Sequence, residues 1–174
     1  GKARDFLVTY MKTILDVRVV YYTKGEDRMK LIEKYRLRLE TEKNMPVLEK
    51  MSINYLLGMA NSNRVDPKNQ DAIYKEVCLY MNNLIKLSDN IPLRYSYLFR
   101  LNPFNILSLM EATPEDRAKA SLRYLNMQKD YAETKEMKKR PYTSKRHLLN
   151  AYSTLATSAE TVGKDMATYY FNYF

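Results

Sequence analysis

The sequence predicts an all-α protein, on three observations. Glycine and proline are scarce, at 4 and 6 of 174 residues, whereas an all-β fold of this size needs many tight turns. Leu, Lys, Glu and Arg are abundant and there are 10 Met, a composition that favours helices. Apolar residues also recur at helical spacing through most of the chain, which predicts about eight amphipathic helices.

Length and composition indicate one globular unit. A chain of 174 residues and 20.6 kDa has the size of one domain with its own core, so we expect a single helical domain over residues 1–174. The hydrophobic share of 45% and the 16 Tyr are too high for a disordered segment. The chain opens on Gly1 rather than Met and ends on the aromatic tail YYFNYF. We therefore expect a fragment of a longer chain.

The first half of the chain predicts four helices. Residues 3–22 carry one long apolar face; the run ILDVRVVYY would also fit a strand, but the unbroken stripe favours a helix. Gly25 is a typical stop after it, and two acidic residues then suit the start of the next helix. Asp66 and Pro67 resemble a helix start. The expected ranges are 3–22, 26–43, 46–62 and 69–88.

The second half predicts four more helices, at 93–112, 114–138, 143–162 and 164–174. Pro103 is expected to end or kink the first of these at the preceding residue. Thr113 and Pro114, followed by two acids, form a typical helix entry. Residues 142–162 have an apolar stripe and an otherwise small, uncharged surface, which predicts a central packing helix.

Consecutive helices are expected to pair as four antiparallel hairpins. Pairs of matching residues recur about every fifty positions, a spacing typical of stacked helical hairpins. These pairs are Leu7-Val8, Leu57-Gly58, Leu107-Ser108 and Leu155-Ala156.

The last hairpin has a more specific pattern. A large aromatic residue is followed after three positions by Leu and a small residue, then by a Gly turn, an Ala and a second aromatic. The residues are Tyr152, Leu155, Ala156, Gly163, Ala167 and Phe171. This pattern resembles a tetratricopeptide repeat, with the Ala one position early. The preceding hairpin is similar through Phe104, Leu107, Ser108, Ala120 and Tyr124, with Glu115 where the family has Gly.

The resemblance covers mainly residues 104–171. It implies an array of antiparallel hairpins that holds a peptide or protein partner in a groove between them. The hairpins recur at about fifty residues, whereas the family repeats at about 34. A compact helical bundle is therefore the alternative architecture.

Catalytic and metal-binding patterns are absent from the sequence, so we expect neither an enzyme nor a cofactor. It contains no HExxH, P-loop or GxGxxG pattern and no nucleophile motif. Cys78 is alone, which excludes an intrachain disulfide and leaves the compartment open. His147 lies beside cations that disfavour its protonation; a surface or capping histidine is favoured over a neutral base. No apolar run approaches the ~20 residues of a membrane span.

A dense basic cluster is the sharpest candidate site. Lys135, Lys138, Lys139, Arg140, Lys145 and Arg146 surround Tyr142 and are opposed in sequence only by Glu136. The dipole of the preceding helix explains cations at 138–140, but cations near the next helix start need another reason, such as a bound anion. Solvated helix ends are the alternative. The candidate anion- or partner-binding residues are Lys138, Lys139, Arg140, Tyr142, Lys145 and Arg146.

Charge and tyrosine content indicate a binding protein. The net charge of +9 favours a nucleic acid, an anionic lipid or an acidic protein surface, or simply a solvated basic face. Surplus Tyr is typical of interfaces, and the C-terminal aromatic tail predicts self-association or contact with more of the parent chain. We expect a non-enzymatic protein or peptide interaction or sensor module, with nucleic-acid or anionic-surface binding through residues 135–146 as the alternative.

Overall fold

The computed structural model of the protein describes the backbone of residues 1–162 and the side chains of residues 1–156. Over these residues it contains eight α-helices and no strand, which confirms the all-α prediction. The helices are α1 (Lys2–Tyr22), α2 (Gly25–Thr41), α3 (Val47–Ser62), α4 (Gln70–Ser88), α5 (Leu93–Met110), α6 (Pro114–Ala132), α7 (Lys135–Lys138) and α8 (Pro141–Val162). The predicted helix 164–174, including the aromatic tail, lies outside the described residues.

Most helix boundaries follow the local signals in the sequence. The Thr113 hydroxyl accepts a hydrogen bond from the Asp116 N–H at 3.1 Å, with Pro114 as the first residue of α6, as predicted. Asp66 instead holds a turn by accepting from the Lys68 N–H at 3.2 Å, so α4 begins at Gln70. Gly25 adopts φ +60 and is the first residue of α2, with Thr23 and Lys24 between it and the end of α1.

Pro103 does not end its helix, because α5 continues through it to Met110. Proline removes one intrahelical hydrogen bond and crowds the preceding turn, at a cost of about 3 kcal/mol. Phe99 and Phe104 on either side of it are almost completely buried. Burial of each aromatic side chain contributes about 1.5–3 kcal/mol, enough to offset the local cost.

The chain packs as two compact units, Gly1–Pro103 and Phe104–Phe174, and the boundary falls within α5 directly after Pro103. Each unit has buried side chains of its own. The prediction of one domain over residues 1–174 is not tested by this division and stays a prediction.

The first unit is built around α3, which packs against α1, α2 and α4. A helix that is buried on all sides belongs to the core. The buried residues of α3 are Met51, Ile53, Asn54, Tyr55, Leu56, Leu57, Gly58, Ala60 and Asn61. The sequence predicts this central role for residues 142–162 instead, but of the described side chains there only Ala151 and Leu155 are buried. Apolar residues on every side of a helix therefore predict a central packing helix better than small, uncharged residues do.

Side chains of the neighbouring helices satisfy the C-terminal end of α3. The last carbonyls of a helix have no partner within the helix. The Tyr21 hydroxyl donates to the Met59 carbonyl at 2.8 Å, and Arg28 Nη2 donates to the Ala60 carbonyl at 2.7 Å. Burial raises the pKa of Tyr21, so its hydroxyl remains a donor at neutral pH. The carbonyl groups of Met59 and Ala60, in the last turn of α3, are therefore both hydrogen-bonded.

The same contacts fix the helix directions. At the end of α3 they come from the end of α1 and the start of α2. Towards the start of α3, the Thr13 and Ser52 hydroxyls pair at 2.6 Å, and Arg38 pairs with Glu49 at 2.6 Å. Consequently α1 runs parallel to α3 and α2 runs antiparallel to it, as the predicted hairpin requires.

An aromatic cluster joins α1, α3 and α5. The rings of Tyr10, Tyr55 and Phe99 contact one another edge to face, with centroids 5.8, 5.3 and 5.9 Å apart. Such pairs match the positive edge of one ring to the negative face of another. Asn102 Nδ2 also donates to the Tyr55 hydroxyl at 2.5 Å. The N-terminal part of α5 is thereby held against α1 and α3.

Gly58 permits a close approach of α3 to α4. A Cβ placed on Gly58 would lie 2.5 Å from Met81 Cε and 2.9 Å from Met81 Sδ. Met81 is completely buried, so its side chain has little room to move aside.

This contact predicts that Gly58→Ala lowers the free energy of unfolding of the wild type but raises that of a Met81→Ala variant. Gly58→Ala gains about 1 kcal/mol of helix propensity but crowds the core, which typically costs about 1–3 kcal/mol, so we expect net destabilisation. In a Met81→Ala background the crowding is gone, and the same change should stabilise. Denaturant unfolding of the four proteins measures both effects. Equal stabilisation in both backgrounds would show that Met81 does not restrict this position.

In the second unit α6 packs against α8, and α7 contacts both. The buried residues of α6 are Ala118, Ala120, Ser121, Tyr124, Leu125, Met127 and Gln128. Of the residues that resemble the tetratricopeptide pattern in this unit, six are buried: Phe104, Leu107, Ser108, Ala120, Tyr124 and Leu155. Tyr152 and Ala156 are half-buried, and Gly163, Ala167 and Phe171 lie outside the described residues. Burial at these positions is also what any amphipathic helix pair produces, so the resemblance stays a prediction.

None of the helices within residues 1–162 has both the length and the apolar character needed to cross a membrane.

Candidate functional site

The predicted basic cluster lies on the connection between α6 and α8. All six cations are exposed: Lys135, Lys138, Lys139, Arg140, Lys145 and Arg146. The Tyr142 side chain among them is 82% exposed. The cluster is thus exposed to solvent, and one of its lysines is paired with a carboxylate that lies just outside residues 135–146. Lys138 Nζ forms a salt bridge with Glu133 at 2.9 Å.

The helix expected over residues 114–138 is interrupted at Glu133 and Thr134, which separates α6 from α7. The Thr134 hydroxyl donates to the Tyr131 carbonyl at 2.7 Å and accepts from the Met137 N–H at 3.4 Å. Threonine side chains compete with helical hydrogen bonds in this way, and the buried Met137 anchors the new turn. The cations at 138–140 therefore follow a single helical turn, where a macrodipole gives little reason for their position.

The next helix begins earlier than predicted. α8 starts at Pro141, and the Ser144 N–H donates to the Arg140 carbonyl at 3.0 Å. Lys145 and Arg146 consequently lie in its second turn rather than at its first residues. The helix dipole acts mainly on charges within the first turn, so it hardly disfavours these two cations. Their position therefore gives less reason to expect a bound anion.

His147 is half-buried on α8. Burial lowers its pKa from the usual 6.5, and the neighbouring Arg146 lowers it further. The direction agrees with the effect predicted from neighbouring cations, although desolvation is the larger cause. The imidazole is therefore held in its neutral form at neutral pH.

This shift predicts a pH dependence of stability that disappears in His147→Gln. Since the folded pKa lies below the unfolded value, the contribution of His147 is fully present above about pH 6.5 and is lost as the pH falls through the folded pKa. The free energy of unfolding of the wild type, relative to the variant, should decrease between pH 7 and pH 5 in denaturant titrations. Parallel profiles for the two proteins would contradict the shift.

A second candidate site, missed by the sequence analysis, is a cleft in the first unit. Its volume is about 930 Å³, at the upper end of the ~300–1,000 Å³ typical of ligand sites. It lies where α1, α3 and α5 begin and where α2 and α4 end. Its apolar lining is Phe6, Leu39, Val47, Leu48, Leu87, Ile91, Pro92 and Tyr95.

The aromatic wall of the cleft is fixed by α1 and α5. The rings of Phe6 and Tyr95 stack with centroids 5.9 Å apart and planes at 25°. The guanidinium of Arg94 lies 4.7 Å from the Tyr95 ring centroid. The wall is therefore apolar and carries a cation beside it.

Within the described part of the chain, the polar residues that line the cleft are lysines and asparagines, and none is acidic. These residues are Lys2, Lys50, Asn54, Asn83, Lys86 and Asn90. Asn54 is 4% exposed, and its Nδ2 donates to the Lys50 carbonyl at 2.8 Å. Its Oδ1 is buried and accepts no hydrogen bond from the described part of the protein. An unpaired buried acceptor costs about 1–3 kcal/mol, so Asn54 is a locally unfavourable position of α3.

Reactive groups are not brought together in the described chain. Cys78 is a buried cysteine. Among residues 1–156, no three His, Cys, Asp or Glu side chains are grouped in a way that could hold a metal ion.

We compared the chain with protein-family models, with curated proteins and with solved structures, and none of them matches it. Its function must therefore be argued from the sites themselves.

Proposed function

We propose that this chain is a non-enzymatic interaction module, built of helical hairpins, that binds a protein or peptide segment in the cleft of the first unit. The observation that carries the proposal is an open, largely apolar concavity between helix ends, with a few polar groups. Concave apolar sites of this kind are the usual places where ligands are buried. The tetratricopeptide resemblance lies mainly in residues 104–171, so it supports an interaction role for the chain but not this cleft in particular.

The proposal predicts that filling the cleft abolishes peptide binding. Peptides would be selected from a phage-displayed library of random sequences on the wild-type protein, and their affinities measured by fluorescence anisotropy. Asn83 is an exposed residue of the cleft lining, so Asn83→Trp should occlude the site without disturbing the core. We expect affinity to fall at least about tenfold, or about 1.4 kcal/mol.

The matched control is Asn82→Trp, at an exposed neighbouring position of α4 outside the lining. It should leave binding unchanged. If the two tryptophan variants bind every selected peptide like the wild type, the cleft is not the partner site.

A second candidate function is binding of nucleic acid through the basic cluster. Its support is the exposure of all six cations on one short connection, with Lys135, Lys139, Arg140, Lys145 and Arg146 in no ion pair with a described residue. Phosphate contacts of exposed lysines and arginines supply affinity without sequence selectivity. This function would be independent of the cleft.

This candidate predicts salt-sensitive binding of a fluorescein-labelled single-stranded DNA. Replacing Lys138, Lys139, Arg140, Lys145 and Arg146 with Gln should weaken binding at least about tenfold and flatten the dependence of log Kd on log salt concentration. The control replaces Lys24, Lys34, Lys43, Lys68 and Lys75, which are exposed elsewhere, and removes the same charge. If both variants weaken binding equally, net charge rather than the cluster is responsible.

A further inference from the structure

We propose that the cleft is selective for a polypeptide segment that carries carboxylates beside apolar side chains, an inference that rests on the proposed function of this cleft. Three features of the described lining coincide at one site: apolar walls, lysines with no acidic residue among the lining residues, and the exposed amides of Asn83 and Asn90.

The positions of two lysines have no explanation in helix electrostatics. Lys2 is the first residue of α1, and Lys50 is the fourth residue of α3. Cations in the first turn oppose the positive end of a helix dipole. Lys86, in contrast, lies in the last turn of α4, where the dipole favours it. An anion in the cleft would stabilise the two unfavourably placed charges.

The protein itself does not supply that anion. Lys2, Lys50 and Lys86 form no ion pair with a described residue. Of the carboxylates next to the lining in sequence, Glu49 accepts from Arg38 at 2.6 Å and Asp89 accepts from Arg100 at 3.2 Å. Asp5 and Glu40 are exposed and are not themselves lining residues. The lysines are thus available to a carboxylate of the bound partner.

The helix ends at this site add to the preference for an anion. α1 and α3 begin here, and neither has a side-chain hydrogen bond capping its first turn. Unsatisfied N–H groups at a helix start attract anions, an effect that here reinforces the lysines rather than standing alone.

The asparagines favour a polypeptide over a simple anionic amphiphile. A fatty acyl chain offers neither a hydrogen-bond donor nor an acceptor to an asparagine side chain. Asn83 and Asn90 are exposed in the same lining and each offers a donor and an acceptor. A peptide backbone presents both groups at every residue other than proline.

The test compares three peptides that share Leu and Phe at their apolar positions and differ only at the others, which are all Glu, all Gln or all Lys. Their affinities for the full chain are measured by fluorescence anisotropy. We expect the Glu peptide to bind most tightly and the Lys peptide most weakly. Replacing Lys50 and Lys86 with Gln should weaken the Glu peptide about tenfold and the Gln peptide less than about twofold.

The charge-matched control is Lys34→Gln with Lys75→Gln, two exposed lysines outside the cleft. It should leave the order of the three peptides intact. Equal binding of the Glu and Gln peptides, both abolished by Asn83→Trp, would overturn this inference while the proposed function stands. If no peptide, synthetic or selected, depends on the cleft, the proposed function fails as well. Binding of dodecanoate that depends on Lys50 and Lys86, without binding of the Glu peptide, would overturn the inference in favour of a small amphiphile.

Discussion

Burial of α3 on all sides is the constraint on which the first unit depends. A helix without a solvent face must have its end groups satisfied by its neighbours. Tyr21 and Arg28 do this at the C-terminal end of α3, and Asn61 Nδ2 donates to the Leu57 carbonyl at 2.8 Å. At the other end of α3, Val47, Leu48 and Lys50 line the cleft. One end of the helix is therefore completed by its neighbours, and the other end opens into the cleft.

The geometry of the cleft follows from how the neighbours reach α3. Gly58 lets α4 come close enough for Met81 to lie where a side chain would otherwise stand. The aromatic contacts of Phe99 with Tyr10 and Tyr55 fix the start of α5 against α1 and α3. Both contacts are made between helices that also line the cleft. The walls of the cleft are therefore held by close helix packing and not by loops alone.

The helices could be predicted from the sequence because their signals are local. Apolar periodicity and the cap at Thr113 place most boundaries within a few residues, and the basic cluster is visible because its members are neighbours in sequence. Two details could not be predicted from local signals alone. Pro103 does not end its helix, where Phe99 and Phe104 are buried, and Thr134 breaks an otherwise helical pattern. The cleft could not be predicted, because its lining comes from the ends of five helices and is assembled only by tertiary packing.

The two charged surfaces differ in what they are able to recognise. The cations of the basic cluster are exposed, so their field is screened over about 8–10 Å at physiological salt, and they offer attraction with little discrimination. Lys50 in the cleft is only partly exposed and lies beside apolar walls and a buried amide, where charges are screened less and hydrogen bonds have fixed directions. Under the proposed function, a ligand of the cleft would have to match its charge and its apolar surface together, which would make recognition selective. Any interaction of the cluster with polyanions would be general and sensitive to salt.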